Sequence, residues 1–270
     1  MKVTAIIPSL ASEATKPYLK LCVESLRATT DWDIVVVTNG IKAKPYLGDI
    51  EGITMHLHTR DQGQCVATNI GAQVASPDTD YLFISNDDMY YSRFWKKNLK
   101  FEHPVFSPNL IEPVNNAGSA PPFKKLPVGN TIEEFKPDEL DGVITTLVEY
   151  KEESGFNLPL FIKKDLWQFL GGYDVAYDPW GSNSDTDLQT RINLAGVTPV
   201  RLRDVLVYHF SNKSGTFDGT HQDFYQNNID YFHSKFGFDR DELASDVWYN
   251  KDMIPTDASK IKYQQRKYEN

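Results

Sequence analysis

The sequence predicts an α/β fold: a single domain in which a mixed, mainly parallel sheet is flanked by helices. Short apolar runs alternate with amphipathic segments along the first third of the chain, as expected for strand–helix repeats. The polar cluster Ser85-Asn86-Asp87-Asp88 directly follows the apolar run at residues 81–84. With 270 residues, the chain can bury one large core. Folds of this class bind ligands beyond the carboxyl ends of their parallel strands.

In the first half of the chain, short apolar runs bounded by turn residues predict strands. The first helix, at residues 16–29, places Leu19, Val23 and Leu26 on one face. The other predicted elements of this half are strands at residues 3–7, 33–37, 54–58 and 81–85 and a helix at residues 64–75.

The second half is less regular. Residues 112–127 are rich in Asn, Gly and Pro and are typical of a loop. A helix at 184–195 is expected to take Ser182 or Ser184 as its N-cap, and Gly171 is expected to end the helix before it. The remaining predicted elements are strands at residues 104–108, 158–162, 198–202 and 205–208 and helices at residues 164–170 and 222–236.

Charge and composition narrow the classes of function. A formal net charge of −9 argues against nucleic acid as the main partner, because binding to a phosphate backbone needs an excess of Lys and Arg. Two cysteines, Cys22 and Cys65, indicate no disulfide framework and favour a reducing, cytoplasmic location. We expect no secretory signal at the N-terminus and no transmembrane segment, which leaves peripheral membrane contact open.

Acidic residues and a histidine suggest a cation site. Asp87 and Asp88 follow a predicted strand, and Asp185 and His209 come about a hundred residues later. Carboxylates and an imidazole suit a divalent ion that also contacts a phosphorylated ligand, which points to sugar transfer. The alternative for residues 86–88 is a polar turn that ends a strand.

Several segments, taken in order, resemble the inverting family 2 glycosyltransferases of the GT-A fold, a Rossmann-like fold. Trp180-Gly181, with His209 further on, is similar to the Trp-Gly-Gly-Glu-Asp motif of metal-dependent galactosyltransferases. The matching segments are residues 4–9, 34–40, 63–71, 81–88, 171–174 and 180–196.

The resemblance implies transfer of a hexose-type sugar from a nucleotide diphosphate donor to an acceptor hydroxyl, with inversion at the anomeric carbon. Mn²⁺ or Mg²⁺ is the implied metal, and a glycan, a glycolipid or another hydroxyl compound is the implied acceptor. The implied catalytic domain spans residues 1–220, with a donor half at about 1–110 and an acceptor half at about 111–220. Residues 221–270 are expected to form a C-terminal helix and tail that pack on this domain.

The resemblance also implies roles for single residues. The family's Asp-X-Asp motif falls on Ser85-Asn86-Asp87, and its Glu-Asp pair falls on Ser184-Asp185, so Asp185 is the expected general base. The metal ligands are expected to be Asp87, Asp88 and His209. Donor contacts are expected from Pro8, Ser9, Thr38, Asn39, Asn69, Asn86, Lys213 and Ser214. Acceptor contacts are expected from Trp180, Gly181 and Ser184.

Other interpretations stay open for these residues. Asp185 lies in the first turn of a predicted helix, where the macrodipole favours an acid without any catalytic role. His209 after a strand and Trp180 in a core are both common structural features. Asp187 is four residues before Arg191, the spacing of a helical ion pair, so we do not count it as catalytic.

Two other functions compete with sugar transfer. Ser85, Thr38 and Ser184 stand where the family often has acids, so a degenerate GT-A domain that binds glycans or partners without turnover is one alternative. A nucleotidyltransferase is the other, although its Gly-rich, basic loop after the first strand is not found at residues 8–11.

Overall fold

One mixed sheet organises the fold. The computed structural model describes residues 1–39, 50–60, 62–115, 123–211, 213, 222–238 and 261–269. The described strands are β1 (Val3–Ser9), β2 (Asp33–Asn39), β3 (Met55–Thr59), β4 (Tyr81–Ile84), β5 (Met89–Tyr90), β6 (Val105–Pro113), β7 (Lys124–Leu126), β8 (Glu152–Ser154), β9 (Leu160–Lys163) and β10 (Val200–His209). The described helices are α1 (Lys16–Thr29), α2 (Gln64–Val74), α3 (Pro137–Val143), α4 (Lys164–Leu170), α5 (Ser184–Leu194) and α6 (Gln222–Phe236).

The strands of this sheet run mainly in one direction. Their order is β3-β2-β1-β4-β9-β6-β10-β5, with β7 beside β6 and β8 beside β10. β1 pairs parallel with both β2 and β4, and β6 pairs parallel with β10. Because β9 lies antiparallel between β4 and β6, those two strands run the same way. The carboxyl ends of β1, β2, β4, β6 and β10 therefore share one edge, and the predicted α/β class is confirmed.

Helices cover both faces of the sheet. α1 buries the predicted face of Leu19, Val23 and Leu26 against one side, where Phe83 also points. α2, α4, α5 and α6 pack on the other side, which receives Leu82 and its alternating neighbours. Successive residues of β4 thus serve opposite layers, as the pleat of a strand requires.

Several predicted helix boundaries agree with the structure, including the start of α5 at Ser184, whereas one predicted N-cap differs. α1, α4 and α6 have the predicted bounds, and Gly171 ends α4 in the left-handed region at φ 78°. The predicted N-cap of α5, Ser182 or Ser184, is wrong. Asn183 occupies that position at φ 68° and makes no side-chain capping bond, while Ser184 is already the first helical residue.

The predicted loop at residues 112–127 is partly wrong. β6 continues to Pro113, and Lys124–Leu126 forms β7 in parallel register with its last residues. β7 and β10 pair with the end of β6 and supply backbone hydrogen bonds there. These bonds keep the segment extended although it contains proline. The two short strands predicted near residue 200 form a single strand, β10, with a register shift between Leu202 and Leu206.

A buried charge network joins α5 to α6. Asp187 is fully buried and accepts from Arg191 Nε at 2.5 Å, which is the predicted ion pair. Lys235 of α6 donates to Asp187 at 2.5 Å and to Asp174 at 2.7 Å. Tyr177 OH adds a bond of 3.2 Å to Asp187. Each buried charge is thus paired, as burial requires.

The described end of the chain, residues 261–269, contacts the same helices. Tyr268 N donates to Ala195 O at 2.9 Å, and Lys267 Nζ donates to Leu194 O at 2.7 Å. Lys262 N donates to Phe236 O at 2.8 Å, at the end of α6. These bonds satisfy carbonyl groups that helix ends leave open.

We expect Asp187→Ala to lower the free energy of unfolding by about 3 kcal/mol, because the buried guanidinium of Arg191 loses its carboxylate partner. Denaturant unfolding would measure the loss. Glu24→Ala is the matched control: its partner Lys20 lies 3.8 Å away on the surface of α1. That change should shift the free energy by less than about 0.5 kcal/mol. Equal effects of the two substitutions would contradict a buried network.

Candidate functional site

The candidate site lies at the shared carboxyl edge of the sheet. Ser9 ends β1, Asn39 ends β2 and the turn at residues 85–88 follows β4. Glu112 lies at the end of β6 and His209 at the end of β10. Strand direction alone therefore brings five polar groups from distant parts of the chain to one edge.

Buried hydrogen bonds of Ser85 hold the acidic turn at residues 85–88 in place. Ser85 is fully buried, where its Oγ lies 2.6 Å from Tyr91 OH and donates to Asn86 O at 2.8 Å. Asp87 accepts a hydrogen bond from Ser9 Oγ. Burial, and then the charge of Asp88, raise the pKa of Asp87 to about 7. A nearby cation would oppose this shift because positive charge favours the ionised carboxylate.

His209 lies between two carboxylates, and we refer to Asp88, Glu112 and His209 as the His209 cluster. His209 Nε2 is 3.3 Å from Asp88 Oδ1, and His209 Nδ1 is 2.9 Å from Glu112 Oε1. The pairing of β5 with β10 sets His209 opposite Met89, and Phe210 N donates to Asp88 O at 3.0 Å. The backbone thus fixes the distance between Asp88 and His209.

The charged groups of the His209 cluster shift one another's pKa values. Burial alone would lower the pKa of His209, but the charge of Asp88 and bonds to Asp88 and Glu112 raise it to about 10. Burial would raise the pKa of Asp88, yet His209 and a backbone bond from Lys213 outweigh it and hold that pKa below its usual range. Sequence reasoning missed Glu112, because the segment after residue 111 was taken for a loop.

The donor atoms suit Mn²⁺ or Mg²⁺ but do not enclose it. Among the residues that the structure describes, no group of three or more His, Cys, Asp or Glu side chains is arranged to hold a metal ion by itself. Carboxylate oxygens and an imidazole nitrogen are nevertheless ligands that such ions accept. Magnesium-like ions commonly take one or two carboxylates from the protein and the rest from water and substrate phosphates. Asp87, Asp88 and His209 fit a cation shared with a phosphorylated ligand.

A second group of side chains, the Asp185 cluster, comprises Asn69, Tyr173 and Asp185. Tyr173 OH donates to Asp185 Oδ1 at 2.6 Å. Asn69 holds the Tyr173 backbone through bonds of 2.8 and 2.9 Å. A Cβ added at Gly172, which has φ 73°, would lie 2.4 Å from Asn69 Oδ1, so glycine is needed there. Burial raises the pKa of Asp185, and the bond from Tyr173 partly opposes the shift.

Asp178, which lies between Tyr173 and Asp185 in the chain, contacts the start of α2. Its carboxylate accepts from Cys65 N at 3.0 Å and Val66 N at 2.9 Å, so it caps the N-terminus of α2. That N-terminus follows β3 and so lies at the carboxyl edge of the sheet. Ser184 and Asp185 also lie near enough to Cys65 to affect its pKa, which is raised first by burial. Sequence reasoning missed Asp178, which no motif marks.

Two predicted acceptor residues, Trp180 and Gly181, lie on a loop that contacts α6, and the third, Ser184, begins α5. Asn228 Nδ2 donates to Tyr177 O at 3.0 Å and to Ser182 O at 2.9 Å. The rings of Trp180 and Phe224 are 6.3 Å apart. Gly181 has φ 67°, a left-handed conformation inside this loop. Ser184 is buried, so Trp180 and Gly181 are the more accessible of the three predicted acceptor residues.

The predicted donor residues on β2 serve the fold in this structure. Thr38 is fully buried, and its hydroxyl donates to Leu57 O at 3.1 Å and lies 3.0 Å from His58 Nδ1. Asn39 Oδ1 accepts from Gln62 N at 3.2 Å and from Gly63 N, which shapes the turn before α2. Their contacts with a donor stay predictions.

The other predicted donor residues lie nearer the acidic turn. Pro8 is in register with Val37 inside the sheet, and the Asn86 carbonyl faces Cys22 Sγ at 3.5 Å. Lys213 bonds Asp88 through its backbone, and its Nζ lies 5.8 Å from the centre of the Tyr18 ring. The last predicted donor residue, Ser214, lies outside the described residues.

Comparison with known proteins identifies the fold. No protein-family model and no curated protein matches the chain. Among solved structures, a TarS fragment from S. aureus is 17% identical with a TM-score of 0.53, covering 83% of this chain and 64% of its own. The mannosyltransferase PcManGT from Pyrobaculum calidifontis, in complex with GDP-Man and Mn²⁺, is 16% identical with a TM-score of 0.51, covering 80% and 58%. GalNAc-T7 with UDP, GalNAc and Mn²⁺ is 16% identical with a TM-score of 0.52, covering 77% and 44%.

These matches give the chain a GT-A fold. The chain spans between 44% and 64% of the length of those three structures. Within the described ranges, every helix is too short or too polar to cross a membrane.

We expect Tyr173→Phe to raise the pKa of Asp185 further. In the wild type the hydrogen bond from the Tyr173 phenol stabilises the ionised carboxylate, and the substitution removes that bond. Titration of the Asp185 carboxyl carbon by NMR would measure the change. Tyr231→Phe is the matched control, since Tyr231 OH donates to a different carboxylate, Asp174, at 2.9 Å. An unchanged or lower pKa of Asp185 in Tyr173→Phe would show that the bond has no electrostatic effect.

Proposed function

We propose that the protein is an inverting glycosyltransferase that moves a sugar from a nucleotide diphosphate donor to an acceptor hydroxyl, with a divalent metal at the diphosphate and Asp185 as general base. One observation carries the proposal. On a GT-A fold, Asp88 and His209 meet beside Asp87, and Asp185, whose pKa is raised by burial, lies close enough to Cys65 at the N-terminus of α2 to act on it.

The similar structures support this chemistry by analogy. PcManGT is described with GDP-Man and Mn²⁺, and GalNAc-T7 with UDP, GalNAc and Mn²⁺. A fold is compatible with many activities, so the argument for sugar transfer depends on the residues at the edge.

On the metal side, Asp87, Asp88 and His209 would hold Mn²⁺ or Mg²⁺. Such an ion, when bound, neutralises charge on a departing diphosphate. Ser9 donates to Asp87 and keeps that carboxylate at the end of β1. Lys213 bonds Asp88 through its backbone, and its ammonium group, 5.8 Å from the centre of the Tyr18 ring, would contact the anionic ligand.

On the acceptor side, Asp185 would take the proton of the acceptor hydroxyl. The acceptor oxygen forms a bond to the anomeric carbon as the bond from that carbon to the diphosphate oxygen breaks, and the proton passes to the Asp185 carboxylate. Tyr173 holds one oxygen of Asp185 in place. A raised pKa makes Asp185 a better proton acceptor near neutral pH.

Substrate contacts complete the proposal. The donor would contact Pro8, Ser9, Thr38, Asn39, Asn69, Asn86, Lys213 and Ser214. The acceptor, a glycan, a glycolipid or another hydroxyl compound, would contact Trp180, Gly181 and Ser184. An aromatic face and a glycine that permits close approach suit a sugar ring.

The experiment that tests the function is a thermal-shift and calorimetry screen of nucleotide diphosphate sugars with Mn²⁺. We expect one donor to bind and Asp87→Ala to lose the Mn²⁺-dependent part of that affinity, because its carboxylate is the proposed ligand. Asp78→Ala is the control, since Asp78 is an exposed aspartate that pairs with Lys2 before β4. Binding of no nucleotide would favour a binding module, and pyrophosphate release from a nucleoside triphosphate would favour a nucleotidyltransferase.

Once a donor is known, Asp185→Asn should lower the rate of transfer by about 10²–10⁴-fold, because an amide cannot accept the proton. Donor affinity should stay near that of the wild type, since the amide still accepts the bond from Tyr173. Initial rates and calorimetry would separate the two effects. Near-normal turnover would remove Asp185 as the base.

A further inference from the structure

Glu112 is a buried acid at the candidate site that no sequence motif marks. It lies at the end of β6, only 3% exposed, in register with Lys125 of β7. Its Oε1 is 2.9 Å from His209 Nδ1. An ionised carboxylate so deeply buried is stable only when charged or hydrogen-bonding partners surround it.

The neighbouring strands fix this contact. β6 and β10 are parallel neighbours with Ile111 opposite Tyr208, so the next residues, Glu112 and His209, leave the paired region close together and their side chains meet. The other ring nitrogen, Nε2, is then directed at Asp88 Oδ1, 3.3 Å away. The imidazole is therefore held at one nitrogen and presents the other to the acidic turn.

We propose that Glu112 is a positioning residue for His209. By accepting the Nδ1–H bond, Glu112 fixes the orientation of the ring so that Nε2 faces Asp88, and it would retain the proton on Nδ1 when Nε2 binds a cation. This role rests on the proposed function, since it requires a metal at Asp87, Asp88 and His209. Carboxylates behind metal-binding histidines orient the ring and raise its basicity.

A purely structural role for Glu112 makes a different prediction. If Glu112 only stabilises the ends of β6 and β10, its replacement lowers the melting temperature and leaves metal affinity unchanged. If Glu112 acts through His209, its replacement weakens metal binding only while His209 is present. A double-mutant cycle separates these two roles.

The experiment measures Mn²⁺ affinity by calorimetry in the presence of UDP or GDP, for Glu112→Gln, His209→Gln and the double variant. We expect Glu112→Gln to weaken Mn²⁺ binding by about 10-fold or more. In the His209→Gln background, the same change should have no further effect. Pulsed EPR should detect the nitrogen of a Mn²⁺-bound imidazole in the wild type and not in His209→Gln. Glu24→Gln, on the exposed face of α1, is the control for loss of a carboxylate.

The outcomes distinguish this proposal from the proposed function. If the wild type binds no Mn²⁺ with either nucleotide, the metal-dependent function fails and the role of Glu112 fails with it. If the wild type binds Mn²⁺ but Glu112→Gln binds it equally well, or the effect persists without His209, only the role of Glu112 is overturned. Should Glu112→Gln not fold, Glu112→Asp withdraws the carboxylate from the ring and enters the same cycle.

Discussion

The His209 cluster is the contact on which the candidate site depends. It joins the turn after β4, the end of β6 and the end of β10 through one imidazole between Asp88 and Glu112. All three groups are largely removed from water, where an unpaired charge is costly. Since each group is stable only beside the others, the carboxyl edge is held together by the same charges that are proposed to bind the cation.

The two halves of the chain are joined by polar contacts of long sequence separation. Asp178 caps α2 from 112 residues further on, and Asn69 holds Tyr173 across 104 residues. Tyr173 in turn orients Asp185, so a side chain of the first half fixes the geometry of the proposed base. Packing alone permits small sliding between layers, whereas these directed bonds specify one arrangement.

Local patterns predicted the helices well and the site only in part. α1, α4 and α6 have the predicted bounds because their apolar spacing and their end signals lie within the segment itself. Glu112 was missed because the Pro and Asn content near it favours a loop, while its strand is maintained by β7 and β10. Asp178 and Tyr173 were missed for the same reason: their importance arises from partners more than 100 positions before or after them, or from contacts made only in the folded state.

The departures from the family's acidic pattern have a physical account in this structure. Ser85 is fully buried against Tyr91, where a carboxylate would lose its solvation, and Thr38 has no exposed surface beside β3. The acidic side chains at this edge are instead Asp87 and Asp88, in the turn after β4, and Glu112, near the end of β6. The edge therefore keeps negative charge with a serine at 85, because Asp88 and Glu112 lie there in addition to Asp87, and Ser9 and His209 stabilise these carboxylates. In the proposed reaction, the cation then meets Asp87, which keeps the last position of the Asp-X-Asp motif that the sequence resembles, and Asp88 directly behind it.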